Sequence, residues 1–382
     1  MKKIVTIGEL GIIITGNTPP RSNPKLYGNY TPFIKATDIS ETEKYTYHPE
    51  EYYSEEGYNK YIKSLIPKGS TCVVTIGSIG KKMTMAHCDL FINQAMNAII
   101  PNENFDNEYI YYAVKNILPN IRMLDSGTAS GRENVSKSAF SKMQILIEDN
   151  IITQRRIAEI LSRYDSLIEN YQKQIKLLEE SAQRLYKEWF VDLRFPGHEN
   201  TKIVDGMPEE WEKICLGELV CFKRGKTITK KEIIEGNIPV VAGGTEPAYY
   251  CNNSNTGNRV ITISASGANA GYTRMYFEKI WASDCSFIDC SMTNYFHFVY
   301  CHLIANKIAI DNLQKGAAQP HVYPKDINAL ALCCPHNDIL DSFESKISYY
   351  FDLISSLQKQ IHKLTEARDR LLPKLMSGEI EV

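Results

Sequence analysis

The chain has 382 residues, which is more than one ordinary domain needs and enough for two or three domains with separate cores. Its hydrophobic content of 43% and its charged content of 23% are typical of a soluble globular protein. A formal net charge of −2 excludes a uniformly basic surface, so a surface that binds nucleic acid must be local. No stretch approaches the roughly eighteen apolar residues of a membrane helix, and we expect no membrane partner.

The ten cysteines lack the paired spacing of a zinc site, so we expect free thiols and no metal ligands. Free thiols are typical of a reducing compartment, which favours a cytoplasmic location. Glu9 and three glycines interrupt the apolar start of the chain, and we expect no signal peptide there.

Residues 1–150 are predicted to form a mixed α/β domain. The segment "FIKATDIS" at residues 33–40 follows a proline-rich loop, "GNTPPRSNP". The apolar run "STCVVTIG" at residues 70–77 has the length of a strand and ends in glycine. A short helix is predicted at residues 107–118, "NEYIYYAVKNIL".

Residues 151–195 are predicted to form a long helix that pairs with another helix. Apolar residues recur there at alternating spacings of four and three, which is a heptad seam. Pro196 and Gly197 then stop the helix. The seam consists of Ile157, Leu161, Tyr164, Ile168, Tyr171, Ile175, Leu178, Ala182, Leu185 and Trp189.

The second half of the chain repeats the first. "IGEL" at residues 7–10 returns as "LGEL" at residues 216–219, and "LIENYQKQIKLLEESAQRL" from Leu167 returns as "LISSLQKQIHKLTEARDRL" from Leu353 without a gap. A second mixed domain is therefore predicted at residues 196–337, with a strand in "NRVITISASG" at residues 258–267, and a second long helix at residues 338–382. Its seam consists of Phe343, Ile347, Tyr350, Ile354, Leu357, Ile361, Leu364, Arg368, Leu371 and Leu375, with Arg368 as the one break in the apolar stripe.

A seam this narrow must be buried against another helix, and the nearest partner is the chain's own repeat. The fold class that we predict is therefore α+β, with two mixed α/β domains joined by an intramolecular coiled coil. At about 1.5 Å per residue the paired region would measure roughly 50 Å and would hold two sites at a set distance. The alternative is that each helix packs on its own domain as a long surface helix.

The sequence contains neither a P-loop nor the Asn-Pro-Pro-Tyr or Asp-Pro-Pro-Tyr motif of an amino-methyltransferase. Its polar loops instead suit phosphate oxygens and base edges, although each alone could be an ordinary solvated loop. Two similar domains held apart would suit a protein that reads two separate DNA half-sites. The candidates for DNA contact in the first domain are Lys35, Thr37, Ser78, Lys81, Lys82, Arg132 and Asn134. Those in the second domain are Lys223, Arg224, Lys226, Thr245, Ser266, Asn269, Lys315 and Gln319.

These features together resemble the specificity subunit of a Type I restriction-modification system. The segment "QRRIAEILSRYDSLIENYQKQIKLLEESAQRLYKEWFVDLRFPGHE" from Gln154 and the ending "LQKQIHKLTEARDRLLPKLMSGEIEV" from Leu357 look like the central and C-terminal conserved helical regions of that family. The segments "SGTASGRENVSKSAF" and "KGAAQPHVYPKDI" look like the edges of its two target recognition domains. One departure is that Leu340 stands in the second helix where Gln154 stands in the first.

The resemblance implies that each target recognition domain reads one part of a split, asymmetric sequence in double-stranded DNA. It implies that the helices form an antiparallel coiled coil, which sets the gap between the parts and binds two modification subunits. Those subunits methylate adenine with S-adenosylmethionine, and restriction subunits that need ATP and magnesium join them. This chain would then hold no cofactor and catalyse nothing. The alternatives are an enzyme with a cryptic nuclease or methyltransferase domain, and a coiled-coil scaffold that does not bind DNA.

Overall fold

The structure is a computed structural model that describes residues 2–125, 133–229, 231–316 and 319–382. It divides into two compact units. Unit 1 contains Met1–Gln172 together with Gln360–Val382, and unit 2 contains Lys173–Lys359. This division cuts through both long helices, so that each unit includes a part of each. The four-segment division at residues 150, 195 and 337 stays a prediction.

Unit 1 is built on two four-stranded sheets and one strand pair. The sheets have the strand orders β2-β9-β6-β7 and β3-β5-β4-β8, and β1 pairs with β10 immediately before the first long helix. The predicted strand and short helix are confirmed as β6 and α2. The strands are β1 Lys2–Thr6, β2 Gly11–Thr15, β3 Tyr27–Gly28, β4 Thr31–Ile34, β5 Glu51–Tyr53, β6 Thr71–Val74, β7 Met83–Met85, β8 Phe91–Ile92, β9 Met96–Pro101 and β10 Gln144–Glu148. The helices are α1 Glu55–Tyr61, α2 Asn107–Ile117, α3 Lys137–Lys142 and the long helix α4 Ile151–Tyr186.

Unit 2 has a similar arrangement, except that its second sheet has three strands and an additional strand pair, β11-β12, comes first. Its sheets have the orders β14-β20-β17-β18 and β16-β15-β19, and β13 pairs with β21 before the second long helix. The strand predicted in residues 258–267 is confirmed as β17. The strands are β11 Ile203–Val204, β12 Met207–Pro208, β13 Glu212–Cys215, β14 Lys223–Arg224, β15 Ile238–Val241, β16 Tyr249–Cys251, β17 Val260–Ser264, β18 Thr273–Tyr276, β19 Trp281–Ala282, β20 Cys285–Asp289 and β21 Ala331–Cys334. The helices are α5 Leu216–Leu219, α6 Phe296–Ala305, α7 Lys307–Asp311, α8 Pro324–Asn328 and the long helix α9 Asn337–Ser377.

The repeated tetrapeptide has a structural cause in each unit. Glu9 accepts a hydrogen bond from the backbone N–H of Thr6 at 2.6 Å, and Glu218 accepts one from that of Cys215 at 2.8 Å. Each glutamate thereby accepts from a backbone N–H that has no partner within the helical turn, at the start of that turn. The turn follows β1 in unit 1 and β13 in unit 2.

The two long helices pair in opposite directions within each unit. In unit 1, Ile157 and Leu161 of α4 share one core with Leu372 and Leu375 of α9. In unit 2, a five-residue π-helical turn extends α4 through Lys187–Val191, and the Trp189 ring lies 5.6 Å from that of Phe343. Residue numbers thus rise along one helix as they fall along the other. None of the predicted seam residues is classed as exposed, and the predicted coiled coil is confirmed.

Arg368, the break in the predicted stripe, is buried with only 4% of its side chain exposed. Its guanidinium donates to Asp165 of α4 at 2.5 Å, and the hydroxyl of Tyr112 on α2 donates to the other oxygen of that carboxylate at 2.5 Å. One buried ion pair therefore joins both long helices to the domain of unit 1. A buried charge is tolerated because its partner and hydrogen bonds replace water.

Unit 2 has apolar residues at the corresponding repeat positions, Phe351 and Ala182. The Phe351 ring stacks on His297 at 4.9 Å and meets the edge of Tyr300 at 5.6 Å. Glu344 of α9 accepts from the backbone N–H groups of His297 and Phe298, each at 3.1 Å, and so caps α6. The domain of unit 2 is thus attached to its helices by aromatic packing and a cap.

The difference between Gln154 in the first long helix and Leu340 at the equivalent position of the second also has a structural reason. The fully buried amide of Gln154 accepts from the backbone N–H of Asp106 at 2.9 Å and donates to the carbonyl of Glu148 at 2.7 Å. Leu340 is fully buried in the apolar core of unit 2. Across the described residues, no helix combines the length and apolarity that crossing a membrane requires.

We predict that Arg368→Leu lowers the free energy of unfolding by about 3–5 kcal/mol, because it leaves the Asp165 carboxylate buried without its counter-charge. The double variant Asp165→Leu/Arg368→Leu should lose far less, since it removes both charges. Arg370→Leu is the control, because Arg370 pairs with Glu366 at the surface, where such a pair contributes at most about 1 kcal/mol. Urea unfolding followed by circular dichroism measures all three, and equal losses for Arg368→Leu and Arg370→Leu would contradict the prediction.

Candidate nucleic-acid interface

Loops from four parts of unit 1 meet at one end of its sheets. The backbone N–H of Asn93, in the bend between β8 and β9, donates to the carbonyl of Ile34 at the end of β4 at 3.0 Å. Asn17, which follows β2, donates to Ile92 at 3.0 Å, and Thr75, which follows β6, donates to Ala95 at 2.8 Å. The bend at residues 93–95 therefore lies between the loops that hold the predicted contact residues.

The β6–β7 loop carries Ser78, Lys81 and Lys82. Gly77 and Gly80 in this loop have φ angles of 89° and 75°. These angles lie in the left-handed region, which glycine adopts readily and residues with a Cβ disfavour. The N–H of Gly77 donates to the carbonyl of Glu133 at 3.1 Å, which brings Asn134 beside the loop. Ser78 and Lys81 are exposed and Lys82 is half-buried. Arg132 lies outside the described residues.

Lys35 and Thr37 differ in their availability for DNA. Thr37 is exposed, whereas the Lys35 side chain is only 18% exposed and pairs with Glu50 at 2.5 Å and with Glu51 at 3.2 Å. The hydrogen bond to Glu50 raises the pKa of Lys35 above its usual value. Its charge is therefore already neutralised within the domain.

Unit 2 assembles its loops with the same backbone connections. Ser283, in the bend between β19 and β20, donates to Val241 at 2.8 Å, Lys226 donates to Ala282 at 2.9 Å, and Ala265 donates to Asp284 at 3.2 Å. Gly267 and Gly271 in the β17–β18 loop have φ angles of 79° and 86°. These glycines correspond to Gly77 and Gly80.

The predicted contact residues of unit 2 gather around this bend. Lys223, Arg224 and Lys226 are exposed on β14 and just after it. The carboxylate of Asp284 accepts from both Arg224 and Ser266, and the carbonyl of Thr245 accepts from Arg274 at 2.5 Å. Asn269 is exposed in the β17–β18 loop.

The last two predicted residues lie on the segment beside that loop. Exposed Gln319 precedes Pro320, whose carbonyl accepts from Gly267 at 3.1 Å. The backbone of Lys315 pairs with His321, and its amine pairs with Asp326 at 2.7 Å. As with Lys35, part of the charge of Lys315 is neutralised locally.

Two residues of these clusters, Gln94 and Asp284, were not predicted from the sequence. Both lie in short bends that carry no strong local pattern. The signal that could identify them is a comparison of "FINQAM" at residues 91–96 with "WASDC" at residues 281–285, the corresponding segments of the two halves.

Among the described residues, no group of three or more His, Cys, Asp or Glu side chains is arranged to bind a metal ion. Burial raises the pKa of the Cys72 and Cys285 thiols to about 12, so these two are protonated at neutral pH and are poor nucleophiles.

Comparison with known proteins gives the family. The pattern described as "Type I restriction modification DNA specificity domain" matches residues 2–180 and 208–367. A Type I restriction enzyme specificity subunit of Methanocaldococcus jannaschii is 29% identical, over all of this chain and 93% of its relative. A putative type I specificity subunit of Mycoplasma genitalium is 28% identical, over 82% of each chain. The crystal structure of a Type I S subunit from M. genitalium has the same fold, with a TM-score of 0.60 at 19% identity over 98% of this chain and 96% of that one.

Two copies of one domain, each with a polar loop cluster and each continuing into a helix of a common pair, define a two-domain specificity protein. The chain belongs to the family of Type I restriction-modification DNA specificity subunits.

Proposed function

We propose that each of the two domains reads one half of a bipartite, asymmetric site in double-stranded DNA, through the loop clusters around residues 93–95 and 283–284. The observation that carries this proposal is that the two clusters share their backbone connections but differ in their side chains. A common scaffold with different polar groups suits the recognition of two different base sequences.

The local distribution of charge supports DNA binding despite a net charge of −2. Exposed Lys81 lies in the unit 1 cluster, and exposed Lys223 and Lys226 lie in the unit 2 cluster. Lysines at such positions release counterions from the phosphates to which they bind, and this stabilises the complex without sequence preference. Neutralised Lys35 is a weaker candidate than these three.

The paired helices set the gap between the half-sites and bind two modification subunits, which in turn bind the restriction subunits. Leu167 and Leu353 occupy equivalent repeat positions on α4 and α9 and are 37% and 46% exposed. Apolar side chains exposed at equivalent positions suit two copies of one partner. S-adenosylmethionine, ATP and magnesium would bind to those partner subunits in the cytoplasm, and this chain would contribute no catalytic step.

The loop assignment predicts a change in the salt dependence of DNA binding. Lys81→Ala/Lys82→Ala and Lys223→Ala/Lys226→Ala should each weaken binding to all sequences. The slope of log K against log salt should fall by about 0.9 for each lysine that contacts a phosphate. Fluorescence anisotropy of the complex with modification subunits measures the slope, with Lys3→Ala on β1 as the control. An unchanged slope would refute the assignment, and a wild-type complex that binds no DNA would favour the scaffold alternative.

The proposed division of labour predicts that the purified chain methylates and cleaves no DNA. Radiolabelled S-adenosylmethionine and plasmid DNA test this for the chain alone, and adding the modification subunits should then produce methyladenine. Methyl transfer or cleavage by the chain alone, at a rate that follows the chain through purification, would support the enzyme alternative.

The paired helices predict how the gap changes when the helices are lengthened. Matched seven-residue inserts after Gln172 and Gln358 preserve the seam and lengthen each helix by about 10.5 Å. Since DNA rises about 3.4 Å per base pair, the gap in the methylated sequence should grow by about three base pairs while both specific halves stay the same.

Sequencing of methyladenine in host DNA measures this gap. Inserts of four residues are the control, because they shift the seam and rotate one domain about the helix axis. An unchanged gap in an active complex with matched heptad inserts would show that the helices do not set the spacing.

A further inference from the structure

We infer that a base-reading side chain lies at each of the two bends between the sheets: Gln94, which belongs to the bend of unit 1, and Arg224 of β14, which Asp284 in the bend of unit 2 holds. Each would determine the identity of one base pair in its own half-site. The inference rests on the proposed function and assigns the recognition of individual bases to particular residues.

The backbone at both bends is held in the same way. Gly16 donates to the carbonyl of Met96 at 3.1 Å, and Gly225 donates to that of Cys285 at 2.8 Å. A Cβ on Gly16 would lie 2.3 Å from the carbonyl oxygen of Asn93, and one on Gly225 would lie 2.3 Å from that of Ser283. These approaches allow no side chain, so the bend in each unit is fixed against the strand beside it.

The side chains on this common support differ. The bend is residues 93–95 in unit 1 and residues 283–284 in unit 2, one residue shorter. Gln94 is the exposed, additional residue of the first bend. Half-buried Asp284 in the second occupies the position of Ala95, since the carbonyls of these two residues accept from Ala265 and Thr75 in the same way. A rigid support with a different polar group in each copy is the arrangement that sequence discrimination requires, because discrimination depends on the placement of donors and acceptors.

In unit 1 the hydroxyl of Thr18 donates to the amide oxygen of Gln94. This bond sets the orientation of the amide and still leaves its NH₂ group and one lone pair of its oxygen. A glutamine amide can donate to N7 of adenine and accept from its N6 amino group. We therefore assign adenine as the base that Gln94 reads.

In unit 2 the carboxylate of Asp284 is engaged on both oxygens, by Arg224 and by Ser266. The side chain of Arg224 is 43% exposed, and its guanidinium has further N–H groups to donate. Arginine recognises guanine by donating to O6 and N7 together, and a carboxylate that holds the guanidinium plane favours that geometry. Arg224 is thus the reading residue, and Asp284 is a positioning residue.

The test uses the full chain with its modification subunits, expressed in a host that lacks other adenine methylation. Genome-wide sequencing of methyladenine gives the recognised sequence for each variant. Gln94→Ala should relax one position in one half-site by about tenfold or more and leave the other half unchanged. Gln94→Glu should shift the preference at that position towards cytosine, whose N4 amino group donates to a carboxylate.

Arg224→Ala should relax one position in the other half-site, and Asp284→Asn should weaken discrimination at that same position. The matched controls are Gln144→Ala, an exposed glutamine on β10, and Arg194→Ala, an exposed arginine paired with Asp192 in unit 2. Both controls should leave the recognised sequence unchanged. Co-purification with the modification subunits verifies that each variant is folded.

The outcomes separate this inference from the proposed function. A bipartite sequence that stays the same in Gln94→Ala and Arg224→Ala would overturn the inference and leave the proposed function intact. Equal loss of methylation at all sites would show that the residues contact phosphates, which also overturns it. A wild-type complex that recognises no bipartite sequence would refute the proposed function itself.

Discussion

The apolar seam shared by the two long helices is the constraint on which both units depend. The core of unit 1 is incomplete without Leu372 and Leu375, which arrive from the far end of the chain. The seam alone does not define its own register, because a slip of seven residues would again bring apolar side chains together. Arg368 removes this ambiguity, since a slipped helix would bury its guanidinium away from Asp165, at a cost of roughly 3–5 kcal/mol.

The ion pair between Arg368 and Asp165 also makes the two units differ in how the domain is attached to the helices. Tyr112 connects the domain of unit 1 to the buried charge, whereas Phe351, His297 and Tyr300 connect the domain of unit 2 through their rings. Two domains of one fold are thus attached to similar helices by unlike contacts. Each domain of this DNA specificity subunit therefore has its own chemistry of attachment to the helices.

The sequence predicts the parts of this fold that depend on local repetition. The heptad seams, the α2 helix and the β6 and β17 strands all follow from the spacing of apolar residues. The partner of Arg368 does not, because Asp165 lies 203 residues away and no pattern links them. For the candidate interface, the sequence predicts that polar loops contact DNA. The neutralisation of Lys35 by Glu50 and Glu51 is not predictable in this way, because it depends on the pairing of β4 with β5. The bend that holds Gln94 was missed because it is ordered by hydrogen bonds to three distant segments.

A net charge of −2 describes the whole chain, whereas binding to DNA depends on the charges of the loops themselves. Several cations that could face DNA are held by carboxylates of the same domain, as Arg224 is by Asp284 and Lys315 by Asp326. Such pairing reduces the attraction to phosphates that all sequences share, and it orients the remaining donors. We expect this pairing to lower affinity for DNA of any sequence relative to affinity for the correct bases. A specificity subunit benefits from that balance, because the competing sites in a genome far outnumber the correct ones.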